Sequence, residues 1–152
     1  MKIKKLDHLV LTVNDIDMTI TFYADVLDMT VAHTAAGRKS LRFGKQKINL
    51  HIAGQEISPH ARHPLPGSAD ICFLTETSMQ QVIEHLNFHK ITILAGPAER
   101  VGATGPLLSI YIQEPDGNLI EISNLIDKIN TIGRLNNFHR PIVPPSGSFI
   151  HG

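Results

Sequence analysis

A strand pattern occurs twice in this chain, and that repetition limits the folds open to it more than any bulk property. Asp7-His8-Leu9-Val10-Leu11-Thr12 returns as Ala69-Asp70-Ile71-Cys72-Phe73-Leu74, and Asn49-Leu50-His51-Ile52 returns as Leu119-Ile120-Glu121-Ile122. In this matching His8 answers to Asp70 and His51 to Glu121. The second interval is the longer one, and the Gly-rich stretch Ala95 to Pro106 can absorb the extra residues. A duplicated βαβββ unit that presents His8, His51, Asp70 and Glu121 at comparable points suggests one divalent-metal site.

The periodicity of the segments agrees with the repeat. Side chains in a strand alternate between faces, so Leu9, Leu11, Val13, Ile48, Leu50 and Ile52 form an apolar set, while His8, Thr12, Asn49 and His51 form a polar one. In the third strand Ser40 and Arg42 alternate with Leu41 and Phe43, which sends Arg42 to the side of His51. Asn14 is placed to cap a helix reaching about Val26, whose stripe of Ile16, Ile20, Phe22, Tyr23 and Val26 would cover the apolar sheet face. In the second unit Thr77 and Gln80 have capping-box spacing, and Met79, Val82, Ile83 and Leu86 follow at helical intervals. Ser109 and Tyr111 alternate with Ile110 and Ile112, and Glu114-Pro115-Asp116-Gly117-Asn118 turns the chain into the last strand. This predicts an α+β domain over residues 1–125, with a first module at about 4–53 and a second at about 68–125. Gly54 to Gly67 joins them, and residues 126–152, with Pro141, Pro144, Pro145 and Gly147, read as a C-terminal extension over the surface.

Composition excludes several partners. Fourteen basic and fourteen acidic residues cancel, with no basic block or aromatic interleaving, so neither nucleic acid nor an anionic membrane is an expected partner. No apolar run is long enough to cross a bilayer, and Met-Lys-Ile-Lys-Lys leads into a strand, so a soluble cytoplasmic protein is expected. The single Cys72 excludes an internal disulfide and a thiolate zinc cluster, which moves metal ligation onto His and carboxylates. Cys72 itself reads as a small buried apolar residue. His85 and His89, four apart without an HExxH pattern, read as a solvated helix face, and His60 and His63 as linker residues.

The segments DHLVLTVNDI, FYADVLDM, LRFGKQKINLH and EPDGNLIEISN resemble those of the vicinal oxygen chelate superfamily, the fold of glyoxalase I, bleomycin resistance proteins and extradiol dioxygenases. The likeness runs from Lys4 to Asn124 and is greatest to small bacterial glyoxalase-domain proteins. It implies two βαβββ modules in a curved mixed sheet, a cup with helices on its outer face. It also implies a divalent ion held at the first and last strand of each module, here His8, His51, Asp70 and Glu121. Glyoxalase I has Glu at the second position and His at the third, so in this chain the imidazole and the carboxylate have exchanged modules.

That resemblance implies a metal-dependent lyase acting like lactoylglutathione lyase. The metal, one ion of Ni, Co, Mn, Zn or Mg, would bind two adjacent substrate oxygens and stabilise an enediolate. A carboxylate beside the reacting carbon would move the proton, with Glu121 at the family's base position and His51 as the opposite candidate. The substrate would be the hemithioacetal of methylglyoxal and glutathione, with Arg38 and Arg42 receiving glutathione carboxylates and Tyr111 lining the substrate side. The alternatives are an extradiol ring-cleaving dioxygenase with Fe, or a small-molecule or drug-sequestering resistance protein of the same fold. A homodimer is expected, because each module leaves an open sheet edge.

Overall fold

A computed structural model describes residues 1–126, so the predicted extension lies almost wholly outside the described residues. The first module runs β1 (His8–Val13), α1 (Ile16–Asp25), β2 (Thr30–His33), β3 (Lys39–Phe43) and β4 (Gln46–Ile52). The second repeats that plan as β5 (Asp70–Leu74), α2 (Met79–Phe88), β6 (Ala95–Val101), β7 (Pro106–Gln113) and β8 (Leu119–Leu125). The α+β fold of two βαβββ modules read from the repeat is therefore present. It consists of two four-stranded mixed sheets, ordered β1-β4-β3-β2 and β5-β8-β7-β6. In each, the first and last strands of the module run parallel and the remaining pairs are antiparallel. Parallel neighbours need a crossover, and the helix with its two following strands supplies it.

Both helices start one residue away from the expected caps. Asp15 caps α1, its Oδ1 accepting from the N–H groups of Asp17 and Met18 at 3.0 Å each. Asn14 instead donates from its backbone and side-chain nitrogens to Asp116 Oδ1, at 3.1 and 2.9 Å, which ties the first module to the β7–β8 turn. Ser78 rather than Thr77 caps α2, its Oγ accepting from Gln81 N–H at 3.3 Å. The side chains nearest each helix start compete for the same orphan donors, and the backbone angle at the cap decides among them.

The apolar faces of the two sheets and both helices share one core. Val13, Tyr23, Leu41 and Ile48 of the first module and Leu86, Ile110, Ile112 and Ile120 of the second are sealed from solvent within it. Burying a side chain of this size stabilises by about 1.5–3 kcal/mol. Phe43 and Phe73 meet edge to face across the modules at 5.3 Å. His85 of α2 donates from Nε2 to the Val26 carbonyl at the end of α1, at 2.8 Å. His85 stays exposed on the helix, as its reading as part of a solvated face has it, and adds this one contact to α1. Because the apolar sides share this core, the polar sheet faces point away from it. Among the described residues no helix is long and apolar enough to cross a membrane.

Candidate functional site

The second module's polar face carries the better-organised chemistry. Residues paired across adjacent strands share a face. Cys72 lies beside Glu121, Glu121 beside Tyr111, and Ser123 beside Ser109. Ser109 Oγ donates to Glu121 Oε2 at 2.6 Å, and Ser123 Oγ donates to the same oxygen at 3.2 Å. The two hydroxyls are themselves 2.6 Å apart, and both serines are fully buried. Short bonds to a carboxylate are the strong kind. They hold one Glu121 oxygen against the sheet.

Two neighbours complete this wall. Tyr111 accepts from Arg100 Nε at 3.0 Å, and the guanidinium lies 5.6 Å from the ring centre. Cys72 is exposed, contrary to its reading as a small buried residue, because it faces outward with Glu121. Its Sγ is 3.3 Å from Ser123 Oγ. Desolvation against the sheet pushes the thiol pKa up, Ser123 opposes this, and the Glu121 and Asp70 carboxylates add to the rise. Asp70, on the same face at the start of β5, is exposed.

The first module presents a second wall. His8 is exposed, with Nδ1 2.8 Å from Asp7 Oδ1. A carboxylate acceptor puts the proton on Nδ1 and leaves Nε2 as the ligating nitrogen, the usual way an orienting carboxylate prepares a metal-binding imidazole. The hydrogen bond from His8 is the main reason the Asp7 carboxyl lies below its ordinary value. Arg42 pairs with Lys47 on this polar face and is exposed, as is Arg38 in the β2–β3 turn.

The strand registers change the matching of the two modules. His8 pairs with Lys47 and Asp70 with Leu119, so Asn49, beside Val10, stands where Glu121 stands beside Cys72. His51, beside Thr12, corresponds to Ser123 beside Leu74. The repeat read from sequence was therefore displaced at this strand. A two-residue slip leaves every side chain on its original face and is invisible to an alternation pattern.

The four expected ligands do not converge within one chain. Among the described residues no three His, Cys, Asp or Glu side chains lie close enough together to hold a metal ion. Glu121 and Asp70 occupy one wall, and His8 the other. Sequence reasoning gave no role to Ser109, Ser123 or Arg100, although Ser109 and Ser123 fall in phase with Tyr111 and Glu121.

Comparison with known proteins places this architecture. The family model described as Glyoxalase/Bleomycin resistance protein/Dioxygenase superfamily matches residues 5–122. The chain is 52% identical over 126 residues to the virulence protein STM3117 of Salmonella typhimurium, covering 83% of this chain and 88% of that protein. The crystal structure of that protein superposes with a TM-score of 0.82, covering 83% of this chain and 100% of the other. Glyoxalase domain-containing protein RDO1 of Mycosarcoma maydis is 49% identical over 127 residues, covering 84% of this chain and 72% of that protein. A lactoylglutathione lyase from Agrobacterium tumefaciens, at 20% identity and a TM-score of 0.64 over 81% of this chain and 95% of its own, shares the fold. The chain belongs to the Glyoxalase/Bleomycin resistance protein/Dioxygenase superfamily.

Proposed function

We propose that this chain is a glyoxalase-I-like lyase in which Glu121 is the proton-transferring base, acting on the hemithioacetal of methylglyoxal and glutathione. The observation that carries this reading is the Glu121 carboxylate, pinned through one oxygen by Ser109 and Ser123 on an open polar face. A base fixed in this way loses little freedom when substrate arrives, and positioning of this kind contributes to the rate. Glu121 takes the proton from the carbon bearing the hydroxyl and sulfur. The electron pair left behind forms an enediolate with the neighbouring carbonyl, the proton returns to that neighbouring carbon, and the hydroxyl proton of the first carbon passes to the neighbouring oxygen as the first carbon becomes the thioester carbonyl. A thioester of the 2-hydroxy acid results, with no external oxidant or reductant. Tyr111, held by Arg100, borders the reacting carbon, and Arg38 and Arg42 of a second copy facing this one would offer guanidinium groups to the glutathione carboxylates.

Among the described residues of one chain no three His, Cys, Asp or Glu side chains lie close enough together to hold a metal ion, so no step is routed through one. A second copy facing this one would have to add His8 to Glu121 and Asp70 for a divalent ion to be held. Such an ion would supply charge stabilisation to the substrate oxygens. The test is Glu121→Gln, which preserves size and the serine contacts. Turnover of the methylglyoxal–glutathione adduct should fall by at least about a hundredfold with the melting temperature little changed. Wild-type protein that leaves this adduct untouched, yet consumes oxygen with a catechol when loaded with ferrous iron, would replace the isomerase reading by the dioxygenase one.

A further inference from the structure

One row of side chains on the first module's polar face has no counterpart in the second. Arg42 pairs with Thr30 of β2 on one side and with Lys47 of β4 on the other, and Lys47 pairs in turn with His8 of β1. Residues paired across neighbouring strands share a face, so Thr30, Arg42, Lys47 and His8 form one row across all four strands of the sheet. Thr30, Arg42 and Lys47 all carry hydrogen-bond donors. In the second module the register puts Asp70, Leu119 and Gln113 at the corresponding places, with no cation among them. The sheet itself therefore does not call for positive charge here.

Arg42 and Lys47 form the centre of the row. Side chains directly opposed on antiparallel strands have Cβ atoms about 4.5–5.5 Å apart, and like charges so placed repel. Among the described residues the ion pair made by a lysine or arginine is that of Lys39 with Asp17, at 3.7 Å, and neither Arg42 nor Lys47 has one. Asp7 lies at the far end, beside His8. The hydrogen bond from His8 Nδ1, at 2.8 Å, is the first cause of its lowered carboxyl pKa, and Lys47 acts on it only through space. Lys47 is half-buried along the sheet and Arg42 is exposed, so the guanidinium is free to close on a ligand against a more firmly held ammonium.

We propose that Arg42 and Lys47, with the Thr30 hydroxyl, form a subsite for a dianionic oxyanion, a phosphate monoester or a compact dicarboxylate. The arginine fork grips two oxygens of such a group, and the ammonium takes another. Two cations held side by side favour two negative charges over one, because a monoanion matched by Arg42 leaves Lys47 uncompensated. Lys47 is thereby the partner of Arg42 for whatever anionic group the substrate carries. The subsite is complete on one chain and does not depend on the Glu121 reading.

The experiment is titration of the full-length, ¹⁵N-labelled protein with phenyl phosphate and with malonate at about pH 7.5, where both are dianions. Benzenesulfonate and sodium chloride at matched ionic strength are the controls, and amide and arginine side-chain NMR is the readout. The Arg42 Nε–H and the Thr30, Arg42 and Lys47 amides should shift saturably, with a Kd on the order of 1 mM. Benzenesulfonate should bind at least about tenfold more weakly, and chloride should give no saturable shift. Whichever dianion binds more tightly names the source of the group. Lys47→Gln and Arg42→Gln should each weaken binding by at least about fivefold, while Lys47→Arg keeps it. Neither residue belongs to the core, and each Gln relieves the like-charge pair, so the variants keep the fold. The proposal is overturned by the absence of a saturable shift up to about 50 mM, by chloride reproducing the shifts, by binding that both Gln variants retain in full, or by shifts centred on Arg100.

Discussion

Ser109 is the residue on which the Glu121 arrangement turns. Its hydroxyl makes the shorter contact to the carboxylate and also meets Ser123, so removing it frees the carboxylate and disturbs its second support. Ser109→Ala should lower kcat for the hemithioacetal by about tenfold while KM changes less, because the base remains present but is no longer held. A merely structural role would lower the melting temperature and leave the kcat of the folded fraction intact. Steady-state kinetics paired with a thermal melt separate the two. Ser109 and Ser123 were visible in the sequence as polar members of alternating strands. Their shared contact with Glu121 was not, because it requires knowing that β7 and β8 pair with Ser109 opposite Ser123.

At the level of elements, the β7–β8 turn does more than reverse the chain. Glu114, only 4% exposed, accepts from the N–H groups of Asp116 and Asn118 through Oε1 and faces the Tyr23 hydroxyl of α1 at 3.4 Å through Oε2. Burial pushes the Glu114 carboxyl above its ordinary value, against the pull of those two N–H groups, and burial beside Glu114 raises the Tyr23 hydroxyl as well. An acid whose folded pKa is raised stabilises the fold below its unfolded pKa and loses that contribution as pH rises through the folded value. Wild-type protein should therefore lose stability relative to Glu114→Gln as pH rises from about 4 to about 7, since Gln keeps a carbonyl for the turn and carries no charge. Urea midpoints for the two proteins across that range check it. Parallel curves would show that Glu114 ionises in the folded protein as it does in the unfolded chain. The helices teach the same lesson about caps: Asn14, a good capping residue by type, is taken by Asp116 from the far end of the chain, and Asp15 caps in its stead.

For the whole molecule, the outward direction of the polar faces has a consequence for assembly. Val10, Leu74 and Leu125 lie on those faces and are 45%, 58% and 54% exposed. Apolar side chains beside a carboxylate and a thiol are a surface that gains from being covered. We expect a twofold homodimer in which each copy faces the other with these surfaces, so that His8 of one approaches Glu121 of the other. Sedimentation at micromolar concentration should give the mass of a dimer, and Val10→Lys with Leu74→Lys should shift it toward monomer and release any bound divalent ion together. A wild-type monomer with full metal content would contradict this arrangement.

The repeat, the order of strands and helices, and the division of each strand into an apolar and a polar side were all legible in the chain, because each depends on a local period of two or near four residues. Glu121, Tyr111 and Arg42 were correctly assigned to polar faces on that basis. Register was not legible. Alternation is unchanged by a slip of two residues, so it could not tell Asn49 from His51 as the counterpart of Glu121; backbone pairing over some forty residues of intervening chain had to decide. Nor could a local pattern tell that the apolar sides of both modules would merge into a single core and turn the polar faces outward. That choice depends on how the whole buried surface is best filled, and it leaves Cys72 exposed, His51 under the linker, and the expected ligands on separate walls.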